Sequence, residues 1–309
     1  MRAARRHLLV RHARLARRRT ARLDPNVRGL LWAMLAGLLF VLLNTIMRSL
    51  ALQIGPFLTQ SLRYLMGVVV MLPLIARSGI ASYRPRNIRG QFLRGGVHTF
   101  ALSIWFLAVP HITLADTTAI GFTTPIFIMI GAVLFLRETM RWERWLAAAI
   151  GFCGVLIVVG PQLTGQGGPY SLLMLASCPI FAASFLITKA LTRYERPEVI
   201  VAWQSITVAC FSLPLALWHW QPPSLVQWLL LLLCGLIGSV AHYCLSRSFS
   251  VADISATQSV KFLDLVWATL LGWLVFADMP SRSTLVGGVV ICAATLWIAR
   301  RESRMTRSG

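Results

Sequence analysis

Two stretches of this chain repeat one another, and the repeat limits what the chain can fold into. Thr113–Pro161 reads as two apolar spans joined by a short charged hinge, Arg137-Glu138-Thr139-Met140-Arg141-Trp142-Glu143-Arg144. Val251–Arg301 has the same plan. A shift of 140 residues places Glu138 on Asp278 and Ala147-Ala148 on Gly287-Gly288. Each copy falls near the end of its half of the chain. A long internal repeat made of membrane spans is the mark of a secondary transporter built from two related halves. The acidic hinge at the same place in both halves argues against a chance pairing of apolar helices.

Composition agrees. The 309 residues are 57% hydrophobic and only 13% charged, where a soluble chain carries about a quarter charged residues. About ten apolar runs approach the roughly 20 residues a helix needs to cross the hydrocarbon layer. The fold class expected is therefore an all-α polytopic membrane protein. The six cysteines all lie inside apolar runs, with neither CxxC nor Cys/His ligand spacing, so they read as packing residues and no metal site is expected. Lys189 and Lys261 are the only lysines among the 30 basic residues. That arginine bias suggests a GC-rich, bacterial genome.

The net charge of +20 raises the question of nucleic acid. Ten of the arginines precede the first span, between Arg2 and Arg28. A basic run beside a membrane span sits against anionic lipid and fixes topology, so lipid is the expected partner and nucleic acid is not. Residues 1–28 read as a basic cytoplasmic tail, without an apolar core long enough for a cleaved signal peptide.

In order, the spans expected are Gly29–Met47, Pro56–Ala76, Gln91–Val109, Leu114–Leu136, Trp145–Gly160, Tyr170–Ala190, Val199–Trp218, Leu225–Ser246, Ala252–Phe276 and Thr284–Ala299. Spans 1–5 fill a first repeat at 29–161. An uncharged, glycine-rich linker at 162–169 follows, then a second repeat at 170–300 and a basic tail at 301–309. With the N-terminus in the cytoplasm, Arg48 and Arg282 alone fall outside, Arg63 and Lys261 lie within spans, and every other lysine and arginine belongs to a cytoplasmic segment. That asymmetry matches the positive-inside rule. Five spans per half then make the halves insert in opposite senses, as an inverted repeat with both termini cytoplasmic. Trp145, Trp218, Trp220, Trp228 and Trp297 suit interfacial anchoring at span ends.

The two copies with their acidic hinges resemble the drug/metabolite transporter superfamily, and within it the EamA-type ten-span members. The resemblance runs from about Gly29 to Arg301. It rests on the pattern from Ala115 through Pro125 to Glu138, on Arg63 within QSLRYLMG, and on Ser250–Val266. In that last segment Lys261-Phe262-Leu263-Asp264 is most similar to the S-adenosylmethionine uptake subgroup, although riboflavin and amino-acid carriers share the scaffold. The resemblance implies a central cavity between two five-helix bundles, alternating access and no ATP hydrolysis. Three departures stand out. The usual glycine before the hinge acid is Arg137 in one half and Ala277 in the other, Asp278 replaces glutamate, and Ser259 occupies a position where proline is common. The last of these leaves a helix break in span 9 without its usual cause.

Charge in the bilayer core is costly and faces a cavity or a partner. Lys261 and Asp264, three apart on one helix face, either brace helices as a neutral pair or line the pathway. Arg63 suits either a bidentate clamp on a substrate carboxylate or cross-bracing. Asp116 complements a helix N-terminus. Glu138 and Asp278 lie at opposite membrane faces, where gating or a structural ion pair suits them. His98 with Trp105, seven apart on one face, and His242 with Tyr243 complete the candidate substrate-binding set. Aromatic faces with a carboxylate would suit a sulfonium or ammonium ligand. Asn44, Gln60, Gln204 and Gln258 could link helices by hydrogen bonds.

No Walker A, HExxH, GxSxG or paired-carboxylate motif occurs, so no enzyme and no cofactor are expected. The expectation is a non-ATP carrier of a small polar metabolite in a bacterial inner membrane, with S-adenosylmethionine as the leading ligand. The rivals are an amino-acid, riboflavin or drug exporter on the same scaffold, a membrane enzyme, and a channel or scaffold. The sequence leaves open a coupling proton, an exchanged ligand and a homodimer.

Overall fold

The computed structural model describes residues 24–108, 111, 119–139, 141–163, 168–218, 220–276 and 281–305. Asp116, Asp278, residues 1–23 and residues 306–309 lie outside these. The described residues are helical throughout, with no strand. Helix α1 (Pro25–Ile54) starts at Asp24, whose carboxylate accepts from the Asn26 and Val27 amides at 2.6 and 3.4 Å. It meets α2 (Pro56–Ser78) at Gly55, whose φ of 81° lets the chain reverse in one residue. Then come α3 (Ile88–Ala108), α4 (Thr124–Leu136), α5 (Trp142–Val159), α6 (Gly168–Leu191), α7 (Pro197–Trp218) and α8 (Leu225–Val251). A short α9 (Ile254–Gln258), α10 (Leu263–Phe276) and α11 (Arg282–Met305) finish the chain.

Among the described residues, eight helices are long and apolar enough to cross a membrane. The other two expected spans are α3 and the pair α9–α10. Helix α3 has the length but holds Arg89, Arg94 and His98. The ninth span is cut in two by the turn Ser259–Phe262, so the helix breaks there without a proline. Local and distant side chains share the cause. Thr257 Oγ1 and Gln258 Nε2 both donate to the Ile254 carbonyl, and such side-chain bonds compete with helix continuation. The N-terminus of α9 is held by side chains from α4 and α5. The fourth span is interrupted at the matching place, residues 122 and 123. Phe122 and Phe262, related by the 140-residue shift, stack with centroids 5.7 Å apart and planes 26° apart. The eighth span also continues five residues past its expected end, to Val251.

Packing follows the repeat. Helix α1 packs along α8, and its counterpart α6 along α3; α2 packs along α7, and α5 along α11. At the α5–α11 crossing a Cβ on Gly287 would stand 2.5 Å from the Gly154 carbonyl, so the two backbones touch through small residues. Arg301 pairs with Glu143 at 3.2 Å and ties the end of α11 to the start of α5. An apolar groove of about 430 Å³ runs between α5, α10 and α11, lined by Leu265, Thr269, Trp273 and Gly288. It holds no charged side chain.

Candidate functional site

The polar residues of the interior gather where α2, α3, α6, α7 and α8 meet. Tyr64 Oη lies 3.1 Å from His98 Nε2, and His98 Nδ1 lies 3.1 Å from Ser184 Oγ of α6. The His98 and His242 rings stand 6.0 Å apart, with Tyr64 6.3 Å from each. Gln204 of α7 joins the group, its amide 3.4 Å from His242 Nε2. Phe40 of α1 closes the cluster edge-on to His242 at 4.9 Å, and its other contact is the Lys261 ammonium, 5.4 Å from its centroid.

Arg94 supports this arrangement. It sits in α3, 1% exposed, so this arginine belongs to the interior and not to the basic loop before span 3. Its guanidinium donates to Thr188 Oγ1, to the Ile200 carbonyl at 3.4 Å and to Gln204 Oε1 at 2.7 Å. Two helices, α6 and α7, are thereby tied to α3 through neutral acceptors, and the Gln204 side chain is turned towards His242.

Lys261 sits on the turn that breaks the ninth span and Asp264 in the first turn of α10; the two form an ion pair. Their side chains are 35% and 17% exposed, so the pair opens to free space although it lies midway along a span. The Asp264 carboxylate rests against Gly37 of α1.

Not every expected residue joins the cluster. Trp105 is half-buried and stacks edge-on to its neighbour Phe106, about two turns beyond His98 on α3. Tyr243 faces Trp32 of α1 at 6.2 Å, away from His242 in register. Glu138 lies apart as well. Its carboxylate accepts from the Ile254 and Ser255 amides at 2.9 and 3.1 Å and from Ser255 Oγ at 2.7 Å, capping α9 from the end of α4. Arg144, 2% exposed, adds bonds to Asp253 at 3.1 Å and Ser255 at 2.8 Å. Lys189 donates to the Phe249 and Ala252 carbonyls at 2.7 and 2.5 Å, which fixes the end of α8. Among the linking amides only Gln204 joins different helices within the cluster. Gln258 bonds within its own turn, Asn44 is exposed, and Gln60 has no partner.

Sequence reasoning missed Phe40, Tyr64, Ser184 and Arg94. Arg94 had a usable signal, a charge inside an apolar run. The others are ordinary apolar or small residues, and only the packing makes them neighbours.

Comparison with known proteins follows the same lines. The EamA-like transporter family matches residues 27–160 and again 168–300. A riboflavin transporter of Rhizobium johnstonii is 33% identical over 282 residues, covering 90% of this chain and 93% of its own length. An S-adenosylmethionine uptake transporter of Rickettsia prowazekii is 27% identical over 286 residues, covering 93% and 97%. A pseudopaline exporter of Pseudomonas aeruginosa is 25% identical over 91% of this chain and 99% of its own. One solved structure, 19% identical, superposes with a TM-score of 0.77 over 89% of this chain and 98% of that one, which shows a shared fold.

Proposed function

The chain belongs to the EamA-like transporter family, and on that premise we propose that it carries a small polar metabolite across a bacterial inner membrane by alternating access. One observation carries the reading: Arg63, His98, His242 and the Lys261–Asp264 pair come from separate spans yet converge, through Tyr64 and Phe40, on one polar cluster inside an apolar bundle. Ionisable groups at that depth mark a substrate or ion path. The reading takes ten spans, five in each of two inverted halves at 29–161 and 170–300, and the basic connecting segments support cytoplasmic termini. Counting α3 and the split α9–α10 as spans gives that number.

The leading ligand is S-adenosylmethionine. The Lys261–Asp264 run and the name of the Rickettsia relative support it; riboflavin is the second reading, on the name of the Rhizobium relative. The chain acts as a carrier and not as an enzyme. Glu138 serves one gate by releasing and recapturing α9, and Asp278 serves the other by its place in the repeat.

Reconstitution into liposomes tests this. Uptake of labelled S-adenosylmethionine, riboflavin and an amino-acid mixture is measured with and without a pH gradient. Saturable uptake of S-adenosylmethionine that Asp264→Asn abolishes is the expected result. Uptake of riboflavin alone would move the substrate to the second reading, and uptake of none would remove the carrier reading.

A further inference from the structure

Arg63 is 7% exposed, and among the described residues no carboxylate, carbonyl or hydroxyl accepts a hydrogen bond from it. The other interior cations are engaged. Arg94 meets three neutral acceptors, Arg144 meets Asp253, Lys189 meets two carbonyls and Lys261 meets Asp264. Arg63 has only the Tyr64 ring, 4.1 Å from its guanidinium carbon, and the bare backbone of Gly238 on α8. A Cβ at Gly238 would come within 2.6 Å of one terminal nitrogen and 3.0 Å of Nε, so a glycine is what leaves the guanidinium its place.

Buried polar atoms without partners cluster in register around it. Gln60 sits one turn earlier on the same face of α2, with neither amide atom bonded. On α8, Gly238, His242 and Ser246 recur every fourth residue, and His242 Nδ1 and Ser246 Oγ are both unpartnered. Buried polar groups are ordinarily satisfied, and an unpaired guanidinium in a bilayer is costlier still. So many open donors and acceptors around one free cation are the complement of a missing polar group.

We propose that the crossing of α2 and α8 is a carboxylate-binding subsite, with Arg63 as the bidentate clamp and Gln60 and His242 as flanking polar contacts. This rests on the carrier reading and narrows it to substrates bearing a carboxylate. A planar guanidinium fork matches a carboxylate in shape and charge. Lys261 and Asp264 cancel one another, and each nitrogen of Arg94 already donates to a protein acceptor, so Arg63 is the open fork left for a monoanion. Riboflavin has no such group; S-adenosylmethionine has one.

The purified full-length chain in detergent gives the test, through its thermal stability in matched ligand pairs. These are S-adenosylmethionine against its decarboxylated form, L-methionine against L-methioninamide, and riboflavin against riboflavin 5′-phosphate. The carboxylate-bearing member of at least one of the first two pairs is expected to stabilise the wild type at a concentration at least about tenfold lower than its partner, the span of one charged hydrogen-bond set. Arg63→Gln is expected to erase that preference. Gly238→Ala keeps the arginine but displaces it, and it should do the same, which covers the case in which Arg63→Gln does not fold. Equal stabilisation by both members, stabilisation by the phosphate ester alone, no stabilisation by any ligand, or a preference that survives both substitutions would each overturn the subsite. Liposome uptake separates the two claims. Uptake without carboxylate preference removes the subsite and keeps the carrier, whereas preference without uptake does the reverse.

Discussion

At the scale of single residues, Lys261 and Asp264 pose the clearest question, because a bracing pair and a substrate-contacting pair answer differently to mutation. Asp264→Asn leaves an ammonium uncompensated in a span, a cost of about 2.5–3.5 kcal/mol on insertion scales, so lower expression is expected in either case. The double variant Lys261→Met with Asp264→Leu removes both charges and should recover expression. If the pair contacts substrate, transport stays lost in the recovered protein; transport returning with expression would reduce the pair to a brace. Arg137 offers a stability counterpart. It ends α4 in the left-handed region at φ 55°, where a side chain costs about 1–2 kcal/mol, whereas a glycine meets no such steric cost there. Arg137→Gly is therefore expected to raise the thermal midpoint of the purified protein by an amount worth about 1 kcal/mol. An unchanged or lower midpoint would show that the arginine side chain makes compensating contacts.

At the scale of elements, the ninth span shows both what could be read in advance and what could not. Its existence was legible, since lipid demands a long apolar run whatever the tertiary structure. The position of Lys261 and Asp264 within it was legible for the same reason, as charges that such a run rarely tolerates. The break was not, because no proline marks it and the cap that restarts the helix comes from a distant segment. Glu138, more than a hundred residues earlier, supplies the oxygens that let α9 start afresh at Ile254. The side chains of Thr257 and Gln258 then draw on the carbonyl of Ile254, the first of the short helix. Spacing along the chain can flag Glu138 as a hinge acid but cannot name the helix it caps. The histidine cluster divides likewise: His98 and His242 stood out as polar residues in apolar runs, whereas Phe40 and Ser184 acquire meaning only from packing. Glu138→Gln tests the capping role. It keeps the shape and removes the charge, so the α9 amides lose a charge-assisted bond set, about 1–3 kcal/mol. Transport should fall several-fold while the ligand-dependent thermal shift of the Arg63 region persists. Loss of both together would mean that the cap sets the geometry of the whole core and does not act as a gate.

At the scale of the whole molecule, the two halves are interleaved and not merely adjacent. Helix α1 of the first half packs on α8 of the second, α6 packs on α3, and the stacked pair Phe122 and Phe262 joins the two interrupted spans. On the ten-span reading proposed above, five spans in each half make the halves insert in opposite senses, and the charge of the connecting segments then chooses one overall orientation. On that reading the basic tail, the 77–89 loop, the hinge around Arg141 and the turn at Arg193 share the cytoplasmic side. In a cysteine-free background, single cysteines at Ile80 and Tyr194 should therefore react with an impermeant maleimide only after the cells are opened. Cysteines at Leu163 and Trp220 should react in intact cells; all four positions are exposed, so access to reagent is not limited by packing. The reverse pattern would invert the topology and with it the assignment of Glu138 to a cytoplasmic gate. Removing residues 2–22 takes away most of the leading arginines but leaves the other basic segments in place. The expected result is a mixture of the two labelling patterns with less protein inserted, not a clean inversion, because the remaining loops still bias each hairpin. A truncated chain that labels as the full chain does would show that those loops alone determine orientation.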